Sequence, residues 1–359
     1  MKTPLLDNIL AQPSALQSVG NFQLGAGFGA LTRSADLLRG SKRIVLTGMG
    51  ASLFACTPLR YMLGKHGMSV SVVEAAELLH FLGPTLDRDT AVVLVSRSGE
   101  SIEVLKLLDP LNDRGCHTIG VANVPESSLT ARTTEQVILN SPSDQLVAIQ
   151  TYTATLLTLA LLGAAYLDQI EVAKAELGLI ETLLPMWIEQ CLAASETWKQ
   201  FAHRDAPLYI LGRGAALASV DEGVLLMHEI AKSPAIGMSI AQFRHGPVEA
   251  TDKHFRAIVI GTQPVTAEID GQFAKDLCRM GGDVRWLGPL TRDADVKPIC
   301  AWPEEVPERF ACVFETAPLQ LLAYRAAEAR GLTPGQFRWA STVTNSESGF
   351  PGLNEPSRS

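Results

Sequence analysis

The residues best equipped for chemistry form one short run, Ser96-Arg97-Ser98-Gly99-Glu100-Ser101, directly after the apolar stretch Ala91-Val92-Val93-Leu94-Val95. An uninterrupted apolar run of that length fits a strand buried on both faces, so the serines fall on the loop beyond its carboxyl end. Open α/β sheets bind ligands there, where a following helix presents unpaired N–H groups and a positive dipole end to an anion. Three hydroxyls at that place suit a phosphate. They equally suit an ordinary turn in which Ser98 or Ser101 caps a helix running from Ile102, and the hexapeptide alone leaves both readings open. Two further segments carry titratable side chains: Met227-His228-Glu229-Ile230-Ala231-Lys232, read as helical, and Gln242-Phe243-Arg244-His245-Gly246-Pro247, read as a loop.

The elements that must position these groups alternate in type. A helix is expected from Ser14. Arg43-Ile44-Val45-Leu46-Thr47 reads as a strand running into Gly48-Met49-Gly50-Ala51-Ser52, a glycine turn followed by a helical pattern. Further strands are expected at residues 69–73, 91–95, 117–122 and 137–139, with a helix over 102–108. Strands alternating with helices at this spacing predict a doubly wound, largely parallel sheet. After a long helical stretch over 171–201 the pattern returns. Pro207-Leu208-Tyr209-Ile210-Leu211 runs into Gly212-Arg213-Gly214-Ala215-Ala216, and Ala257-Ile258-Val259-Ile260-Gly261 stands where residues 91–95 stood. The fold class expected is therefore α/β, with two copies of one sheet unit. Only the first copy has a serine after its glycine turn and the hydroxyl-rich loop; the second has Ala216 and Gly261-Thr262-Gln263-Pro264 at those places.

Composition narrows the function classes. The chain has 359 residues, 47% of them hydrophobic, and a net charge of -8. That is enough apolar material for about two domains. With no Lys/Arg cluster, a nucleic-acid surface is not expected. The six cysteines show no C-x-x-C pair and read as reduced, structural residues. The seven histidines show no H-x-x-x-H or Cys/His spacing, so neither a metal nor a cofactor is expected. No signal peptide is read at the N-terminus. The most apolar long stretch, residues 153–167, is shorter than the roughly 20 residues a bilayer requires. A cytoplasmic protein without membrane contact is the expectation.

Several motifs occur in register: Gly50-Ala51-Ser52, Val95-Ser96-Arg97-Ser98-Gly99-Glu100-Ser101, Asn123-Val124-Pro125-Glu126-Ser127-Ser128-Leu129, Leu211-Gly212-Arg213-Gly214, His228-Glu229-Ile230, Arg244-His245-Gly246-Pro247 and Pro318-Leu319-Gln320-Leu321-Leu322-Ala323-Tyr324. In that order they resemble the double sugar-isomerase (SIS) domain family, in particular the isomerase half of glucosamine-6-phosphate synthase and related deaminases and deglycases. The resemblance implies a lead-in over 1–30, a first SIS unit over 31–170 that binds phosphate, a helical connector over 171–200, a second SIS unit over 201–340 and a tail over 341–359. It implies a sugar phosphate held by Ser52, Ser96, Ser98 and Ser101. Arg97 stands where the synthase often has Gln, and either adds a charged bond to phosphate or points to solvent. Val147 and Ala148 match the family's sugar-site lining, whereas Ile149-Gln150-Thr151 replaces a Ser-Thr-Lys sequence there, leaving Gln150 as a sugar-site candidate.

By the same resemblance Glu229 is the general base moving a proton between C1 and C2 of an open-chain sugar phosphate. His245 is an acid/base reaching the active site of a neighbouring subunit, which implies a homodimer. Residue type alone allows a solvent-facing glutamate and a histidine that merely braces the Gly246-Pro247 turn. The synthase tail carries a Schiff-base lysine in a sequence like Ala-Lys-Ser-Val-Thr; here Ala340-Ser341-Thr342-Val343-Thr344 puts Ser341 at that position. A glutaminase half is not read either. The implied activity is an isomerase/deaminase acting on amino-sugar 6-phosphates, with a fructosamine-6-phosphate deglycase or a non-catalytic sugar-phosphate-binding regulator as alternatives. A dinucleotide site at Gly48-x-Gly50 with Glu74 is disfavoured, because Leu53 takes the third glycine position.

Overall fold

A computed structural model describes residues 3–202, 206–289, 296–339 and 346–347. Five strands, β1 (Arg43–Gly48), β2 (Val70–Glu74), β3 (Thr90–Val95), β4 (His117–Ala122) and β5 (Glu135–Ile138), form a parallel sheet in the order β2-β1-β3-β4-β5. Four more, β6 (Leu208–Gly212), β7 (Ala235–Ser239), β8 (Arg256–Ile260) and β9 (Asp283–Leu287), form a second parallel sheet in the order β7-β6-β8-β9. The second order repeats the first without its last strand. The internal repeat read from the sequence is thus a repeat of topology.

Between the sheets lie two helices that have no solvent face. Gln150–Tyr166 is buried at all but its last residue, and Ala311–Ala329 from Ala311 to Ala327. Helices apolar on every side belong in a core, and here they join the inner faces of both sheets into one apolar cluster that includes Ile44, Val93, Leu157, Ile210, Ile258 and Leu322. The long helix Ile170–Ser195 packs on the Ala311–Ala329 helix. The run Ile170–Ala202 is long and apolar enough to cross a membrane, with a mean hydropathy of 1.2. Its Leu177, Ile180, Leu184, Trp187 and Ile188 instead face the core.

Several boundaries differ from the expectations. The first helix runs Pro4–Leu24, capped by Thr3, and does not begin at Ser14. Pro13 suggested a start, yet it sits inside the helix. The Ile9 carbonyl that Pro13 cannot serve accepts a bond from Gln12 Nε2 at 3.0 Å, and the same amide meets Gln320 of the core helix at 2.8 Å. The edge strand β7 had no signal in the sequence: it is short, half exposed and contains Gly237. A Cβ on Gly237 would lie 2.9 Å from Val220 and 3.0 Å from Val224, so glycine there lets the Leu217–Glu229 helix approach the sheet.

Candidate active site

β1 and β3 are neighbours whose chains leave in opposite directions, β1 next to β2 and β3 next to β4. Gly48 pairs with Val95, so the loops bearing Ser52 and Ser96–Ser101 emerge side by side at the carboxyl edge, at the switch point where such sheets bind ligands. Ser96 is buried, and its hydroxyl meets Ser101 Oγ at 3.0 Å and accepts from Gly99 N at 3.1 Å. Ser98 Oγ accepts from Glu100 N at 3.1 Å. Gly99 adopts φ +70°, and a Cβ there would fall 2.0 Å from Ser127 Oγ, so only glycine closes this loop. Ser101 occupies the N-cap of the helix Ile102–Asp113, but its side chain makes no capping bond. Neither Ser98 nor Ser101 therefore caps the helix.

Arg97 is half-buried and does not simply point to solvent. Its Nη1 donates to Leu146 O at 3.1 Å, and its charge pulls on Glu229. Val147 and Ala148 follow that carbonyl, with Val147 buried. Gln150 is 4% exposed and begins the core helix. Sequence reasoning missed Asp144, whose carboxylate accepts from the N–H groups of Ile149, Gln150 and Thr151 at 2.9–3.1 Å and from Thr151 Oγ1 at 2.6 Å. This helix N-terminus is filled from within, so its dipole is not available to a substrate anion. The second sheet does something similar, for Arg213 beyond β6 pairs with the buried Asp270 at 2.6 Å.

Glu229 closes the Leu217–Glu229 helix, which packs against the short helix Ala51–Phe54 carrying Ser52. Burial pushes its carboxyl up to about 7, against the pull of Arg97 and Lys232. Two turns earlier Glu222 is 1% exposed, with Oε2 unpartnered. Burial, and after it the charge of Glu229, raises its carboxyl well above the usual range. Beside Glu229 opens a cavity of about 400 Å³ whose walls include His228, Lys232, Phe337, Arg338 and Trp339. His228 Nε2 accepts from Ala235 N at 3.4 Å, so its ring braces the edge strand. His245 lies exposed on the turn after the short helix Ile240–Phe243 and does not line this cavity. Ser341 lies outside the described residues.

Residues 37–167 match the family model described as SIS domain. The chain carries an SIS domain over these residues. Among the relatives of this SIS-domain chain is a glutamine–fructose-6-phosphate aminotransferase (isomerizing) from Pyrococcus horikoshii, 29% identical over 350 residues, 95% of this chain and 57% of the relative. An Arabidopsis thaliana protein of the same description is 30% identical over 329 residues, 88% of this chain and 48% of the relative. The chain thus spans about half the length of these relatives. The C-terminal domain of a glucosamine-fructose-6-phosphate aminotransferase from Francisella tularensis superposes with a TM-score of 0.83 at 21% identity, covering 94% of this chain and 99% of that one. A glucosamine-6-phosphate deaminase from Thermotoga maritima gives 0.75 at 19% identity, covering 93% and 97%. At these identities the two structures show the fold alone, that of SIS proteins.

Proposed function

We propose that the chain is an isomerase/deaminase of amino-sugar 6-phosphates, for which glucosamine 6-phosphate is the probe. Ser52 and the Ser96–Ser101 loop hold the phosphate, with Val147, Ala148 and Gln150 along the sugar. Glu229 takes the proton from C2 of the open-chain aldehyde. The C–H pair becomes the C1=C2 bond and the carbonyl pair moves onto O1. Glu229 returns the proton to C1, and O1 takes up the proton that the C2 nitrogen gives up as C2=N forms. Water then adds to C2 and ammonia leaves, so one water is consumed and one ammonia is released per fructose 6-phosphate formed. The observation that carries this reading is Glu229 itself, a carboxyl raised to about 7 on a helix packed against the short helix that carries Ser52. A base works best when its pKa lies near the working pH.

We further propose a homodimer in which the exposed His245 serves the partner's site as acid/base on the ring oxygen or the leaving amine. The test of the function is release of ammonia from glucosamine 6-phosphate by the purified protein. Binding without turnover, with Glu229→Gln unchanged in behaviour, would make the chain a sugar-phosphate sensor instead. The cavity of about 400 Å³ beside Glu229 is larger than ammonia requires. That favours, as a second reading, deglycation of 1-amino-1-deoxyketose 6-phosphates carrying a substituted amine.

A further inference from the structure

Lys232 has no part in the reading above, yet three observations single it out. It adopts φ +49°, a left-handed conformation that a non-glycine residue keeps only where its surroundings impose it. Its ammonium donates to the backbone carbonyls of Glu229 and Gln336, which ties the end of the Leu217–Glu229 helix to the segment that precedes the tail. It also lines the Glu229 cavity together with Arg338, which has no carboxylate partner among the described residues. An ammonium has three N–H donors in a fixed tetrahedron. Two are spent on carbonyls and the third has no hydrogen-bond acceptor among the described residues; the Phe337 ring centroid lies 5.8 Å from Nζ.

A lysine needed only to cap the helix end would satisfy carbonyls from the surface and would gain nothing from a second cation beside it. Lys232 and the exposed Arg338 put two positive charges on the wall of the cavity that also contains Glu229, a setting that suits negative charge developing there. Proton transfer at C2 generates such charge, on the oxygen of the neighbouring carbonyl. Fixed donors directed at a developing oxyanion are among the largest contributors to catalysis.

We propose that Lys232 is a catalytic residue that donates its third N–H to the enediolate oxygen O1 while Glu229 holds the migrating proton. The inference rests on the proton-transfer reading of the site. In it Lys232 remains an ammonium and forms no covalent bond to the sugar: the oxygen gains the carbonyl electron pair, Glu229 holds the proton, and Lys232 adds a hydrogen bond. Burial and the neighbouring Arg338 lower its pKa, against the opposing charge of Glu229.

The test compares the wild-type protein with Lys232→Met, which keeps the aliphatic stem, and Lys232→Arg, which keeps the charge. The probes are glucosamine 6-phosphate and a five-carbon phosphorylated hydroxamate that mimics the planar anionic enediolate. Lys232→Met is expected to lose about 10²–10³-fold in kcat with KM little changed, and to lose hydroxamate affinity by a similar factor, while Lys232→Arg recovers part of both. A Lys232→Met protein that melts at a lower temperature but keeps its kcat and hydroxamate affinity would reduce Lys232 to a helix cap and overturn the proposal. So would a covalent sugar adduct on Lys232 after borohydride treatment of the wild-type protein with substrate, because the amine would then act as a nucleophile. If Lys232→Met does not fold, the comparison of Lys232→Arg with wild type and the borohydride experiment still decide. Absence of any proton exchange or turnover in the wild type would remove the reading beneath the proposal, an outcome separate from these.

Discussion

Glu229 and Glu222 are two carboxyls on one helix that burial affects in the same direction, and they lead to two different measurements. For Glu229, only the ionised form accepts a proton, and its pKa is raised to about 7. The acid limb of kcat/KM should therefore climb with pH and level off above about 7, and Glu229→Gln should lower kcat by ~10²–10⁴-fold with the phosphate still bound. A flat profile between pH 5 and pH 8 would argue against this base. For Glu222 the consequence is stability. Its folded-state pKa is raised, so the folded protein keeps a proton that the unfolded chain releases, and stability falls as pH rises above the ordinary carboxylate value. Glu222→Gln removes that dependence. Its melting temperature should exceed the parent's at pH 8 by roughly 2–4 °C per kcal/mol gained, and the gap should close near pH 4, as scanning calorimetry would read directly. At this scale the sequence revealed residue types but not their settings. Glu229 was legible through the motif around it. Lys232 was not, because nothing in Ile230-Ala231-Lys232-Ser233 announces a left-handed backbone, and Asp144 was not, because it caps a helix start from five residues upstream.

At the scale of elements, the serine loop depends on one glycine. A methyl at Gly99 would meet Ser127 Oγ at 2.0 Å and force a side chain into φ +70°. Backbone strain alone is worth about 1–3 kcal/mol. Gly99→Ala should therefore weaken fructose 6-phosphate binding by roughly tenfold or more, measured by titration calorimetry, and should lower the melting temperature as well. Unchanged affinity would mean that the loop does not hold the phosphate. The loop was readable in advance because a parallel strand buried on both faces leaves a continuous apolar run, as residues 91–95 do, and its end marks the carboxyl edge of the sheet. β7 escaped notice for the opposite reason: an edge strand shielded by one helix needs neither length nor an apolar run. Pro13 misled because a proline can start a helix or be tolerated inside one, and only the Gln12 side chain, by serving the freed carbonyl, decides which.

At the scale of the whole molecule, two sheets of one strand order share a core built on two wholly buried helices, and the short helix of Ser52 beyond the first sheet meets the Glu229 helix of the second. The repeat was visible in the sequence as recurring strand and glycine-turn pairs. That the halves join through a common core was not, since buried helices show no amphipathic stripe to assign to one side. If the active site is shared between subunits, mixing Glu229→Gln with His245→Asn protein should restore about a quarter of wild-type activity through hybrid dimers that each carry one intact site. Two inactive variants that stay inactive when mixed, despite subunit exchange, would place His245 outside the partner's site. The central claim is that Glu229 moves a proton on a sugar phosphate held by the serine loop, and proton NMR of fructose 6-phosphate in deuterated water tests it most directly. The account predicts that the wild-type protein places deuterium at C1 and that Glu229→Gln does not; binding without exchange, or exchange undiminished in Glu229→Gln, would contradict it.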